Sequence, residues 1–412
     1  MKIVHINTND IAGGAGRAAF RLHTAMRADG IDSKMFVLNK FSQDNEFIER
    51  VGKTKLTRLH AILKISKERF KIWNYRPFGV FSIASSGFKL ASKEVIRSAD
   101  IIYLHWFNSG LLNIREVGEI LKLGKPVYWV LHDMWPFTGG CHHSFDCNRY
   151  IDSCGNCVLL KKNSSPTDIT TKVLAKKQKY WSSFKNLHII TPSIWLGRCA
   201  SKSKLFGLLN VDTIPNTIDM NMYSPMNKGD AREKFGLRPH TKVILFGADA
   251  GANNPYKGWS YMQEALENIK KPNMEAVVFG SILPQEIINC FPMPVKCVGS
   301  LKSDNALACL YSAADVFVTP SLVDNLPNTI VESMACNTPV VGFNIGGIPD
   351  LIEHKRTGYL ASYKDAQDLQ IGIEWVTSLP KENFNAREAI TKIVAPERIV
   401  GLHKKLWERD LS

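Results

Sequence analysis

Short β-branched or apolar runs alternate with longer amphipathic stretches along this chain, and most runs stop at a polar, glycine or proline position. The first run, MKIVHIN, leads into Ile11-Ala-Gly-Gly-Ala-Gly-Arg-Ala-Ala-Phe20, which predicts a strand and a tight turn into a helix. Strands are predicted at 101–104 and 127–131, each followed by a histidine, and another ends at Ile190-Thr-Pro-Ser193. Residues 211–214 lead into Pro215-Asn216-Thr217-Ile218-Asp219, then a linker over 223–228 and a short helix ending at Gly236. A second series of strands begins at 243–247 and continues at 277–280 and 298–299. This rhythm predicts an α/β protein with doubly wound parallel sheets, which bind ligands at the carboxyl ends of their strands.

Composition narrows the class. A chain of 412 residues usually makes two domains, and 45% apolar with 22% charged residues is ordinary for a soluble globular protein. The N-terminal apolar run is too short for a secretory signal, and no run approaches the ~20 apolar residues of a membrane span. A cytoplasmic location is expected. The net charge of +14 is uneven. Residues 53–73 read as a basic amphipathic helix with Leu56, Leu59, Ile62, Leu63 and Phe70 near one face, and a second basic run, 172–180, ends in Tyr180-Trp181. Each suits peripheral contact with an anionic membrane, at roughly 1 kcal/mol per basic residue, or a surface helix packed on its own domain. No nucleic-acid motif accompanies the charge, so no nucleic-acid partner is expected.

The densest chemistry lies in residues 314–350, ADVFVTPSLVDNLPNTIVESMACNTPVVGFNIGGIPD. A strand stops at Pro320, a polar loop covers 321–328, and a helical run begins at Thr329. Asp324 lies in the loop and Glu332 about one turn into the helix, so the pair can grip hydroxyls at two ends of one ligand beside phosphate-attracting N–H groups. Spacing alone also fits an ordinary strand–helix unit with two solvated acids. The acidic-x7-Glu spacing, the preceding Pro-Ser, the Met-Ala…Pro-Val-Val sequel and Gly346-Gly347-Ile348-Pro349-Asp350 together resemble the retaining GT-B glycosyltransferases of sequence family 4.

The resemblance implies two Rossmann-like doubly wound domains facing a central cleft that holds a nucleotide-diphosphate sugar. It places Asp324 against the donor sugar, Glu332 on the nucleotide ribose, and the amides of Asn325, Leu326, Pro327, Asn328 and Thr329, a run in which proline has none to give, around sugar and diphosphate. Lys257, before Gly258, would neutralise the diphosphate, helped by Gly14 and Arg17 in the glycine-rich turn. His132, past the strand at 127–131, would meet the sugar, with His105 and Trp106 as candidates on the acceptor side. Asp133 would orient His132 or cap the next segment. Two positions depart from the pattern: Gly247-Ala248-Asp249 stands where the family has a phosphate-binding arginine, and Asp324 stands where most members have glutamate.

Cys141, Cys147, Cys154 and Cys157 cluster in a segment that ends in C-x-x-C. In a reducing cytosol such clustering points to a structural zinc on four thiolates, with His142 or His143 able to replace one, or else to free thiols. No catalytic metal is expected. The expected organisation is an acceptor-side domain over 1–217 with a Cys-rich insertion at 139–160, a donor-binding domain over 218–385, and a C-terminal helix over 386–412 crossing back to the first. The implied activity is transfer of a hexose-type sugar, with retention, to a glycan or lipid-diphosphate acceptor in bacterial surface polysaccharide assembly. A sugar-nucleotide epimerase or a non-catalytic sugar-binding scaffold of the same fold is the alternative.

Overall fold

The computed structural model describes residues 1–43, 46–52, 54–247, 254–301 and 303–411. Two compact units emerge: Met1–Thr217 with Ile399–Ser412, and Ile218–Arg398.

Among the described residues, the first unit is built on seven parallel strands: β1 (Lys2–Asn9), β2 (Asp32–Asn39), β3 (Ile48–Arg50), β4 (Ile101–Leu104), β5 (Val127–Val130), β6 (Leu187–Thr191) and β7 (Val211–Thr213). Their order is β3-β2-β1-β4-β5-β6-β7. β4 and β5 are buried along their whole length, which is why they read as unbroken apolar runs rather than alternating ones. Chain direction across the sheet reverses between β1 and β4, so the ends of these strands form the switch point where such sheets bind ligands.

Strand register also lines up aromatic rings. His5 pairs with Tyr103, Tyr103 with Tyr128, and Tyr128 with His188, and their rings stack at 4.9, 5.4 and 4.8 Å. The helix Pro396–Leu411 closes over this ladder. Trp407 Nε1 donates to the Tyr103 hydroxyl at 2.9 Å, and that hydroxyl lies 2.9 Å from His403 Nδ1. Asp410 accepts from Tyr128 at 3.1 Å and lies 3.0 Å from His188, while Arg409 grips Asp212 through two nitrogens at 3.1 and 2.9 Å.

Among the described residues, the second unit has six parallel strands: β8 (Lys242–Gly247), β9 (Met274–Phe279), β10 (Val295–Gly299), β11 (Val316–Thr319), β12 (Val340–Phe343) and β13 (Gly358–Ala361). They run in the order β10-β9-β8-β11-β12-β13, with the switch between β8 and β11. Asp315, buried just before β11, accepts from Arg232 Nη2 and the Val243 N–H at 2.7 Å and from Lys228 Nζ at 2.6 Å. A buried carboxylate met on several sides in this way ties β8 to β11 and to the helix Lys228–Lys234. The two doubly wound sheets are those the strand–helix rhythm predicts.

The two basic runs behave differently. In the helix Lys55–Trp73, only Ala61 and Glu68 are buried. Glu68 accepts the Ile83, Ala84 and Ser85 N–H groups at 2.9, 3.1 and 3.1 Å and so anchors the helix. Leu56, Leu59, Ile62, Leu63, Phe70 and Trp73 remain exposed. In the helix Ile169–Trp181, by contrast, Val173, Leu174, Lys177 and Trp181 are buried, and Trp181 Nε1 donates to the Ile114 carbonyl at 2.8 Å. The second run is therefore a helix packed on its own domain, with Trp181 in the core rather than at an interface.

Candidate functional site

In the second unit, chain crossings fix the loop between β11 and the helix Asn328–Ala335. Gly258 has φ +59° and Gly346 φ +61°; a Cβ on the first would strike the Pro320 carbonyl, and one on the second the Asp324 carbonyl. Leu322 N–H donates to the Tyr256 carbonyl at 2.8 Å and Gly347 N–H to that of Asp324 at 3.2 Å. These contacts hold Lys257 against Asp324, with Nζ 2.9 Å from Oδ2 and the side chains 39% and 19% exposed.

The helix starts after Pro327 without a side-chain cap. Proline suits that position, where an N–H would have no partner inside the helix. Glu332 sits one turn in, 3% exposed, and accepts the Tyr311 hydroxyl at 3.3 Å. Burial, reinforced by this carboxylate, pushes the Tyr311 phenol well above its usual value, so it stays a donor. Asn325 and Leu326 are buried on the approach, and Asn328 and Thr329 open the helix. Ala248 and Asp249, which stand where the resembled family has its arginine, lie outside the described residues.

In the first unit, β1 ends in a turn that Asp10 organises. Its carboxylate accepts the Ile11, Phe41 and Ser42 N–H groups at 2.8, 2.9 and 2.8 Å. Burial opposes its ionisation, but these hydrogen bonds win and hold the carboxyl below its usual range. Gly13, at φ +76°, then opens α1 (Gly13–Ala28), which carries an exposed Gly14 and a half-buried Arg17. Sequence reading passed over Asp10, although its place between the strand and the glycines was a signal.

Past β4 and β5 the structure brings His105 and His132 together, with His105 Nδ1 3.1 Å from His132 Nε2. His105 Nε2 lies 3.0 Å from His5 Nδ1, so three imidazoles form one line from β1 outward. Burial holds all three below the usual histidine value, His132 at about 4. Both His105 nitrogens are engaged in this line and its side chain is buried, so its part is internal. Trp106 N–H donates to Asn7 at 2.8 Å, and its indole donates to Asp133 Oδ2 at 3.0 Å. Asp133 also accepts the Trp135 N–H at 2.9 Å and lies 2.6 Å from His142 Nδ1. It therefore caps the next turn and orients Trp106 and His142, and these contacts do not include His132.

Cys141, Cys147, Cys154 and Cys157 line one cavity of about 20 Å³, together with Thr138 and Tyr150. All four are free thiols. Burial pushes the Cys141 thiol up to about 12 and that of Cys154 up to about 11. Among the described residues, no three His, Cys, Asp or Glu side chains stand at the spacing of a bound metal ion. His142 is not available to replace a thiolate, because its nitrogens are taken by Asp133, Ser82 and Asn108. Beside the cavity, Lys177 is wholly buried and donates to the Trp135 and Thr138 carbonyls, and burial lowers its value to about 7.

Comparison with known proteins agrees with this architecture. Residues 241–378 match the family described as glycosyl transferases group 1, so the second unit carries a domain of that family. An uncharacterized glycosyltransferase of Methanocaldococcus jannaschii is 28% identical over 306 residues, 69% of this chain and 75% of that protein. A D-inositol 3-phosphate glycosyltransferase of Segniliparus rotundus is 28% identical over 200 residues, 46% of this chain but 40% of its own length. The Escherichia coli UDP-Gal:alpha-D-GlcNAc-diphosphoundecaprenol alpha-1,3-galactosyltransferase is 28% identical over 202 residues, 47% of this chain and 51% of its length. Among solved structures, Anabaena HepE in complex with UDP and glucose superposes with a TM-score of 0.67 at 17% identity, covering 99% of both chains. The lipopolysaccharide glycosyltransferase WaaG does so at 0.61 and 14% identity, over 96% of this chain and 98% of that one. The fold is GT-B.

Proposed function

We propose that the protein is a retaining glycosyltransferase that moves a hexose-type sugar from a nucleotide diphosphate to a glycan or lipid-diphosphate acceptor. The Lys257–Asp324 pair and the buried Glu332 in the helix that follows the Asp324 loop, inside a glycosyl transferases group 1 domain, carry this reading. A partly exposed pair of this kind is worth about 0–1 kcal/mol, so an arriving diphosphate exchanges cheaply for Asp324 on Lys257. Asp324 is then released to accept sugar hydroxyls while Lys257 stabilises the charge that develops on the leaving diphosphate. Glu332 anchors the ribose. A hydroxyl-binding carboxylate one turn into a helix whose N-terminus attracts phosphate suits a nucleoside diphosphate.

In the first unit, Gly14 and Arg17 would serve the phosphates, His132 the sugar and Trp106 the acceptor side. One relative named for UDP-Gal and diphosphoundecaprenol, and a fold neighbour holding UDP and glucose, support a UDP-sugar donor and a lipid-linked acceptor used in surface polysaccharide assembly. The exposed apolar and basic helix 55–73 fits a cytoplasmic enzyme working at an anionic membrane face.

Incubation with a panel of nucleotide sugars, with and without membrane lipid extract, tests the activity. Nucleotide release that depends on acceptor supports transfer. A new sugar isomer without acceptor would mean an epimerase, and binding without turnover across donors and acceptors would mean a scaffold.

A structural zinc on Cys141, Cys147, Cys154 and Cys157 belongs to the same proposal. Its support is the shared cavity and the buried Lys177, whose hydrogen bonds go to carbonyls and whose charge would offset a zinc tetrathiolate. About one zinc per wild-type chain, lost in Cys154→Ser, is the expected result, and a folded wild-type chain free of zinc refutes it.

A further inference from the structure

The Cys-rich insertion is laced to the stretch of chain that follows the helix Lys55–Trp73. Phe78 N–H donates to the Leu159 carbonyl at 2.7 Å, Lys161 N–H to that of Arg76 at 3.4 Å, and Lys162 N–H to that of Tyr75 at 3.1 Å. Asn163 Nδ2 reaches the Asn74 carbonyl at 3.0 Å, and Pro77 forms an antiparallel bridge with Leu160. Cys157, Leu159 and Leu160 turn into the core with Phe81, and Ile72 and Tyr75 pack against its edge. What faces away from that core is of another kind. Val158, between the buried Cys157 and Leu159, is 68% exposed, and Lys161 and Lys162 beside it are exposed as well.

The helix presents the same mixture. At 100° per residue its exposed apolar side chains, Leu56, Leu59, Ile62, Leu63, Phe70 and Trp73, share a stripe about 120° wide. The buried Ala61 and Glu68 lie on the opposite side, so the stripe points away from the domain. Trp73 ends the stripe at the joint with the insertion, and Phe78, 39% exposed, continues it there.

Charge is one-sided over both segments. Residues 54–80 and 158–164 contain nine lysines and arginines and a single acid, Glu68, which is buried on three backbone N–H groups. Burial, with Lys71 close by, lowers the Lys176 value, so the neighbouring helix Ile169–Trp181 brings a further cation to this region. Cations gathered without an exposed carboxylate among them match an anionic partner. A purely polar polyanion has no use for the apolar side chains interleaved with them, whereas a lipid surface takes up both.

We propose that the Cys-rich insertion is a second membrane contact, which sets Val158, Lys161 and Lys162, with Arg76 and Phe78, on the same anionic lipid surface as the helix Lys55–Trp73. The insertion thereby fixes how the first unit stands on the bilayer, since one amphipathic helix alone leaves the domain free to roll about its axis. This inference rests on the membrane-facing part of the proposed function and adds a named surface to it.

Cosedimentation of the full chain with phosphatidylcholine vesicles, with and without phosphatidylglycerol, tests it in three variants whose thermal midpoints are checked first. Lys161→Gln with Lys162→Gln should lower partitioning onto the anionic vesicles about 10- to 30-fold at low salt, at about fivefold per lysine. Val158→Glu should lower it about tenfold or more, since it withdraws an apolar side chain and adds a charge of the wrong sign. If Val158→Glu does not fold, Val158→Ser should still lower it about threefold, through the apolar part alone. Leu63→Glu with Phe70→Glu tests the helix separately. Folded insertion variants that bind like wild type while the helix variant detaches would overturn the second contact and leave the helix reading in place. A loss in the lysine variant with none at Val158 would mean a polar anionic partner and overturn the lipid assignment. A wild type that ignores phosphatidylglycerol would overturn both the insertion and the helix.

Discussion

Replacing Leu63 and Phe70 with glutamate should strip the protein from anionic vesicles while leaving its fold intact. The two side chains are 56% and 77% exposed on the helix Lys55–Trp73, so they contribute little to the core. Full burial of a leucine or phenylalanine is worth about 1.5–3 kcal/mol, and the exposed fractions put the loss at about 1–2 kcal/mol each. Two carboxylates facing anionic headgroups add about 1 kcal/mol apiece. The sum, about 4–6 kcal/mol, corresponds to at least a hundredfold fall in partitioning. Lys55, Arg58, Lys64, Lys67, Arg69 and Lys71 stay in place, so residual binding should be purely electrostatic and vanish as salt is raised. Cosedimentation with phosphatidylcholine vesicles, with and without phosphatidylglycerol, measures the effect, and thermal denaturation checks that stability moves by no more than about 1 kcal/mol. A double variant that sediments like wild type, or a wild type indifferent to phosphatidylglycerol, refutes the membrane-facing assignment.

Three further outcomes follow from the geometry. Glu332→Gln keeps an acceptor for Tyr311 but loses the charge, so UDP affinity by calorimetry should fall about 10- to 100-fold; equal affinity in a folded variant would sink the ribose assignment. Stability should fall steeply as pH drops below about 6.5, because His5, His105, His132 and His403 are held neutral when folded and take up protons when unfolded. Each contributes up to about 1.4 kcal/mol per pH unit and nothing above its unfolded value, so urea unfolding that is unchanged from pH 7.5 to 5.5 would contradict this burial. Trp407→Ala removes a side chain 4% exposed and the donor to Tyr103, which should cost about 3–5 kcal/mol in denaturant unfolding; a loss below about 1 kcal/mol would show that the last helix is dispensable.

Much of the fold was legible because buried parallel strands announce themselves. VYWV and VFVT are buried, β-branched and aromatic runs that give way within two residues to His132 and Pro320, and no knowledge of their partners is needed to see them. What depends on partners was hidden. Lys257 and Asp324 lie 67 positions apart, and only the close passage of the chain at Gly258 and Gly346 brings them to 2.9 Å. His5 sits inside an apolar run and reads as a filler, yet register with Tyr103 makes it the inner end of a proton-bonded line. Lys177 counts in the sequence as one more surface charge of a basic run, but it is internal, held by two carbonyls and the face of Trp135. Charge tallies cannot tell a solvated lysine from an enclosed one. Of the two readings open for each basic run, packing on its own domain holds for the helix Ile169–Trp181.

The aromatic ladder carries a consequence for biosynthesis. Tyr103 is fully enclosed, but the groups that satisfy its hydroxyl, His403 and Trp407, come 300 and 304 positions later. At about 5–20 residues per second, a ribosome needs roughly 15–60 s to make that stretch, and throughout it that face of the first sheet's central strands lacks the cover of Ile399, Val400, Leu406 and Trp407. The first unit cannot close until the helix Pro396–Leu411 has been made. A chain that lacks residues 399–411 would be left with that face open, a natural substrate for chaperones and proteases, so the helix couples closure of the first sheet to prior synthesis of the whole second unit.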